Sequence, residues 1–131
     1  MKYVYPVVLT PENEGYYVNF PDFESCYTQG DNLADALEMA KDVLELTLCH
    51  YEDSKKPMPQ ASAQDNLILE DNQVVSLVSA NTMEYRKLWD NKAIKKTLTI
   101  PTWLNTLAEQ NEINFSAVLQ KALKQELRLT E

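Results

Sequence analysis

The sequence predicts an α+β domain followed by a separate strand–helix–helix module, and three observations carry that prediction. Residues 1–90 alternate short period-two stretches with one long helical stripe, giving the order β-β-β-α-β with a trailing helix. Residues 94–100 alternate again and run straight into a proline and two successive helical patterns. Charge divides at the same place. Lys92, Lys95, Lys96, Lys121, Lys124 and Arg128 stand against Glu109, Glu112, Glu126 and Glu131, so residues 92–131 carry +2 and residues 1–91 carry −10 of the total of −8. An acidic domain joined to a basic tail suggests two partners, one basic and one polyanionic.

Residues 3–9 read as a strand, with Pro6 marking an edge or a bulge. Residues 10–15 form a turn cluster. Tyr16, Val18 and Phe20 then alternate with Tyr17 and Asn19 in a second strand, completing a β-hairpin. Phe20-Pro21-Asp22-Phe23 breaks the chain before a short third strand at Cys26-Tyr27-Thr28, and Gln29-Gly30-Asp31 turns it again. Asn32 and Asp35 have the spacing of a capping box. Beyond them Leu33, Ala36, Leu37, Ala40, Val43, Leu44, Thr47, Leu48 and Tyr51 form a helical stripe that needs a sheet to lie on. Glu38, Asp42 and Glu45 fall on the side expected to be solvated. A proline-containing loop from residue 56 leads to a strand over residues 73–80, and Asn81 is placed to cap a short helix ending at Trp89.

The tail is a different kind of object. Along residues 94–100, Lys95, Thr97 and Thr99 share one face and Lys96, Leu98 and Ile100 the other. Pro101 suits a first helical position. The first helix carries Leu104, Leu107 and Ala108 with Trp103 at the edge; the second carries Phe115, Val118, Leu119, Ala122, Leu123 and Leu127 behind an N-cap at Asn114. A helical hairpin within an ordinary core would give each piece separately. Yet one strand and two short helices cannot bury that much apolar surface alone. Pairing two chains through the strand, with Leu98, Ile100, Leu104, Leu107, Val118 and Leu119 in a shared core, removes both the exposed surface and the unpaired strand edge.

Composition narrows the classes further. With 44% hydrophobic residues and two glycines, the chain is globular. No apolar run approaches the roughly 20 residues that cross a bilayer, and the opening residues turn polar too soon for a signal peptide. The expected address is cytoplasmic, with no membrane partner. Cys26, Cys49 and the single histidine, His50, lack the number and spacing of metal ligands, so buried thiols, no metal and no cofactor are expected.

Two resemblances follow from these residues. The ordered run Thr97-Leu98-Thr99-Ile100-Pro101, helix, polar turn, Asn114 cap and second helix is similar to the ribbon-helix-helix family of dimeric DNA-binding proteins. That resemblance implies a two-stranded ribbon in the major groove of operator DNA, with Lys95, Thr97 and Thr99 on base edges and Lys96 reaching a phosphate. It also implies a phosphate held at Asn114, Phe115 and Ser116, on the free N–H groups of a helix start. Glu112 stands where that family turn commonly has glycine, so Asn111 is expected to take the left-handed conformation.

Tyr17-Val18, Phe20-Pro21-Asp22, then Thr28-Gln29-Gly30-Asp31 and Ala36-Leu37 with Ala40, resemble HicB antitoxins. Glu24 and Ser25 stand where members usually have a glycine. The resemblance implies an RNase H-like domain over residues 1–90 that has lost its chemistry and binds a small basic HicA-type toxin, an mRNA-cleaving ribonuclease. The module over residues 91–131 would dimerise, or build a higher assembly of dimers, and repress the protein's own operon. No catalytic residue is expected: Asp31 and Asp35 are accounted for by a turn and a cap, and Asp22 by a Pro-Asp turn. The rival is a ribbon-helix-helix regulator whose acidic domain senses a small ligand; a minor nuclease is a third reading.

Overall fold

The computed structural model of the chain describes residues 1–129 and divides into two compact units, Met1–Lys92 and a second starting at Ala93. The first contains β1 (Lys2–Glu12), β2 (Gly15–Asn19), β3 (Tyr27–Gly30), α1 (Leu33–Asp53), β4 (Val74–Asn81) and α2 (Thr82–Trp89), with a single 3-10 turn at Gln64–Asn66. The second contains α3 (Thr102–Gln110) and α4 (Phe115–Glu126).

The four strands form one antiparallel sheet in the order β3-β2-β1-β4. Period-two alternation decides which face is buried. Tyr5, Val7 and Leu9 of β1, Val18 of β2, and Val78 and Ala80 of β4 join Ala36, Ala40, Leu44 and Leu48 of α1 in one core. Those α1 residues recur every fourth position and make a single line down the helix. Burying Leu44 and Leu48 completely contributes about 1.5–3 kcal/mol each.

Local chemistry sets the element ends. The turn between β1 and β2 narrows to Asn13 and Glu14, with Asn13 at φ 49°, a conformation asparagine tolerates. β1 therefore takes the first three residues of the expected turn. Pro6 lies inside the sheet opposite Leu77 of β4, but β2 pairs with β1 only from Val8 onward. At Pro6 the strand has one neighbour, so the proline occupies a local edge.

β3 begins one residue after Cys26 and runs through Gly30 instead of turning there. A Cβ on Gly30 would lie 2.4 Å from the Ala36 backbone nitrogen, so glycine is what lets the strand end against the first turn of α1. At the helix start Asn32 Oδ1 accepts from the Asp35 N–H at 2.9 Å. The Asp35 carboxylate accepts from the Asp31 N–H at 2.9 Å, one residue earlier than in the usual box. Ser25, where the HicB resemblance leads one to expect glycine, takes φ 59°.

Candidate functional surfaces

The second unit is built from two capped helices around a left-handed turn. Asn114 Oδ1 accepts from the Ala117 N–H at 3.1 Å, leaving the N–H groups of Phe115 and Ser116 open to an outside acceptor. Pro101 sits at the N-cap of α3, not at its first helical position: its ψ is 144°, and its carbonyl accepts from the Asn105 N–H at 3.1 Å. The left-handed residue after α3 is Glu112, at φ 53°, while Asn111 stays at φ −96°. Asn111 is better used closing the helix. Its side-chain amide donates to the Leu107 carbonyl at 2.8 Å, Glu112 N–H bonds Glu109 O, and Ile113 N–H bonds Ala108 O. That is a Schellman cap, and it places the left-handed position one residue after the cap.

Residues 94–100, expected as a strand, carry no secondary structure in the single chain. A ladder needs a partner edge, and the second unit has no described strand to offer one. Lys95, Lys96, Thr97 and Thr99 are exposed, and so are Asn114, Phe115 and Ser116. Leu98 is 57% exposed, Leu107 49% and Val118 53%; Ile100 and Leu104 are also exposed, and Leu119 is half-buried. No described residue from Ala93 onward is buried. The unit has two amphipathic helices and no core of its own.

The first unit closes its core with no charged side chain in the central cluster. Glu52, near the end of α1, accepts from Tyr3 Oη at 2.8 Å, Thr82 Oγ1 at 3.0 Å and Arg86 Nη2 at 3.1 Å. Burial alone would raise its pKa, but these three donors outweigh burial and hold it below the usual carboxylate range. Burial and the same carboxylate push Tyr3 up to about 12. Arg86 also reaches Asp53 at 2.9 Å and Asp90 at 3.9 Å.

Glu45 departs from the expected solvated face. It is 7% exposed, and burial raises its pKa, against the lowering effects of Lys41 and of a hydrogen bond with the Asn81 backbone. The trailing helix α2 packs against α1 and makes a second covered flank that the core stripe alone does not reveal. Asp22 does more than close its own turn: it accepts from the Ser62 N–H at 3.0 Å and from the Ser62 hydroxyl, fastening the loop after α1. Cys26 and Cys49 are buried free thiols with pKa values raised by burial. Among the described residues, no three His, Cys, Asp or Glu side chains converge as metal ligands, and no helix is long and apolar enough to cross a membrane.

Two surface features stand out. Glu12, Glu14, Asp31 and Asp35 surround one cleft at the β1–β2 turn. Between α1 and α2 lies an apolar groove lined by Met39, Val43, Leu46, Tyr85 and Trp89, which the sequence reading did not single out. Its signal was present in the spacing: Met39, Val43 and Leu46 form a second apolar line on α1, and Tyr85 and Trp89 are one turn apart on α2.

Residues 4–83 match the family described as a HicB-like antitoxin of bacterial toxin-antitoxin systems. The chain is 47% identical over 64 residues to Antitoxin HicB 1 of Photorhabdus laumondii, covering 47% of this chain and 41% of that protein. It is 42% identical over 59 residues to Antitoxin HicB of Escherichia coli K12, covering 44% and 43%. The matches thus span less than half the length of these curated relatives. Among solved structures, a chain of a toxin-antitoxin complex from Streptococcus pneumoniae aligns with 32% identity and a TM-score of 0.63, over 96% of this chain and 99% of that one. The antitoxin HicB of Burkholderia pseudomallei shares the fold at 16% identity and a TM-score of 0.54, over 95% and 96%. With its mixed sheet-and-helix architecture and a family match across residues 4–83, this chain belongs to the HicB-like antitoxin family.

Proposed function

We propose that the protein is the antitoxin of a type II toxin-antitoxin pair. Residues 1–90 bind and neutralise a small basic HicA-type ribonuclease, and residues 91–131 form a homodimeric ribbon-helix-helix that represses the protein's own operon. It acts by binding and is not an enzyme. The single observation that carries this reading is the contrast between the units: one closes around its own core, and the other leaves every described apolar side chain unburied. A second copy supplies what the tail lacks, since two strands over residues 94–100 pair edge to edge and Leu98, Ile100, Leu104, Leu107, Val118 and Leu119 meet across the dyad.

The charge division supports the two partners. The tail's net +2 suits a phosphate backbone, with Lys95, Thr97 and Thr99 on base edges, Lys96 on a phosphate, and Asn114, Phe115 and Ser116 at a helix start that can hold another. The −10 of residues 1–91 suits a basic protein, because complementary fields speed encounter and fix register.

The test is co-expression with the gene next to this one. Expression of the neighbour alone arrests growth, this chain restores it, and a tagged copy retains the neighbour's product. If the neighbour is harmless or is not retained, the antitoxin reading fails and a ligand-sensing regulator takes its place.

A further inference from the structure

We propose that the groove between α1 and α2 is the anchoring site for the basic protein partner, and that it receives an apolar side chain flanked by lysine or arginine. This rests on the toxin-binding reading above and adds the surface that performs it.

The groove has an apolar floor that a monomer has no evident use for. Leu46 is 58% exposed, Trp89 75% and Met39 39%, and with Val43 and Tyr85 they line a cavity of about 430 Å³. A second cavity of about 390 Å³ continues it past Leu46, Tyr85 and Trp89 towards Asp53 and Asp90. Aromatic and aliphatic side chains gathered at one recess, two of them on a short helix, have the make-up of an interface centre.

The rim identifies the occupant. Asp42 stands at the first cavity, and Asp53 and Asp90 at the second beside Arg86 and His50. Arg86 pairs with Glu52, Asp53 and Asp90, one guanidinium to three carboxylates, so that cluster keeps a negative excess. An apolar recess inside a carboxylate rim selects a hydrophobic anchor between basic residues. A second copy of this unit would bring its own large negative excess to the same rim, and like charges disfavour it.

The experiment uses the full chain carrying Trp103→Phe, which leaves Trp89 as the sole tryptophan. It is titrated with the catalytically inactivated HicA-type toxin encoded beside it. Toxin binding is expected to shift Trp89 emission to the blue as the ring leaves water. Leu46→Asp, and separately Trp89→Ala read by calorimetry, should each weaken binding by roughly 30-fold or more, the size of a central anchor. Asp42→Lys should weaken it less and reduce its salt dependence. Both anchor positions are exposed, so circular dichroism should show unchanged folding. Leu77→Asp, on the sheet face away from α1 and 54% exposed, is the control and should bind as the parent does.

Normal binding by Leu46→Asp and Trp89→Ala would overturn the groove while leaving the toxin reading intact. So would loss of binding confined to Leu77→Asp, which would put the partner on the open sheet face. A blue shift that grows with protein concentration in the absence of toxin would make a second copy the occupant. If the parent chain itself fails to bind toxin, the antitoxin reading has failed, a result distinct from all of these.

Discussion

Arg86 on α2 reaches back to Glu52 on α1, Nη2 to Oε1 at 3.1 Å, and Glu52 in turn accepts from Tyr3 of β1 and Thr82 at the start of α2. One carboxylate thus joins the first strand and the two helices of the folded unit. Glu52 is a half-buried group with three donors aimed at it, so removing it leaves each donor to find water.

Glu52→Ala should destabilise the protein by about 1.5–3 kcal/mol, the range for hydrogen bonds to a charged group. The pH dependence has a definite sign. The folded pKa of Glu52 is depressed, so its contribution is fully present above the ordinary carboxylate range and is lost as pH falls through the folded value. Urea melts of wild type and Glu52→Gln between about pH 7 and pH 3 should converge at the acid end. A constant gap across that range would contradict the shift.

Glu45 predicts the opposite dependence. Its folded pKa is raised by burial, so ionisation opposes folding at neutral pH, and that cost disappears as pH falls below the unfolded value. Glu45→Gln keeps an acceptor for the Asn81 N–H while removing the charge. It should raise the Tm at pH 7 by a margin that vanishes below about pH 4. Calorimetry at the two pH values checks both halves.

Three helix ends share one feature: α1, α3 and α4 each close with a non-glycine in the left-handed region, at Lys55, Glu112 and Arg128. Neither of the chain's two glycines is used there. Gly15 and Gly30 sit where a Cβ would strike backbone at 2.5 and 2.4 Å. A left-handed non-glycine costs roughly 1–2 kcal/mol. Glu112→Gly should therefore stabilise the tail by about 1 kcal/mol, read as a rise in its thermal midpoint. Unchanged or lowered stability would mean the side chain contributes something that offsets the strain.

The residues of the proposed ribbon should separate into two kinds in fluorescence-anisotropy titrations on operator and scrambled duplexes. Thr97→Ala is expected to cost about 1–3 kcal/mol on the operator and far less on random DNA. Lys95→Ala should weaken both, more on the operator. Lys96→Ala should weaken both evenly and lower the salt slope by about one counterion. If Lys96→Ala abolishes discrimination while Thr97→Ala changes nothing, the strand register is off by one.

Much of this was legible in the sequence because the relevant signals are local or periodic. The α1 core line at Ala36, Ala40, Leu44 and Leu48, the caps at Asn32, Asn81 and Asn114, and the β-β-β-α-β order all follow from spacing within a few residues. Two of the differences, at Glu45 and Asp22, share a cause, which is contact between elements distant in sequence. Glu45 is buried because α2 returns to α1, and Asp22 is fixed by Ser62, 40 residues on. The left-handed residue differs for another reason: residue preference favours Asn111, but the cap's hydrogen bonds fix the position at Glu112.

The division of labour between the units is the central claim, and truncation after Lys92 tests it most directly, because the first unit has a core of its own. The truncated chain and full-length Leu98→Asp are compared with wild type by sedimentation, promoter binding and rescue from the co-expressed toxin. Leu98→Asp puts an unpaired charge into the proposed shared core. Both variants should sediment at a lower association state and fail to bind the promoter, yet still neutralise the toxin. A truncated chain that keeps the wild-type association state, or one that is folded but no longer neutralises, would contradict the account.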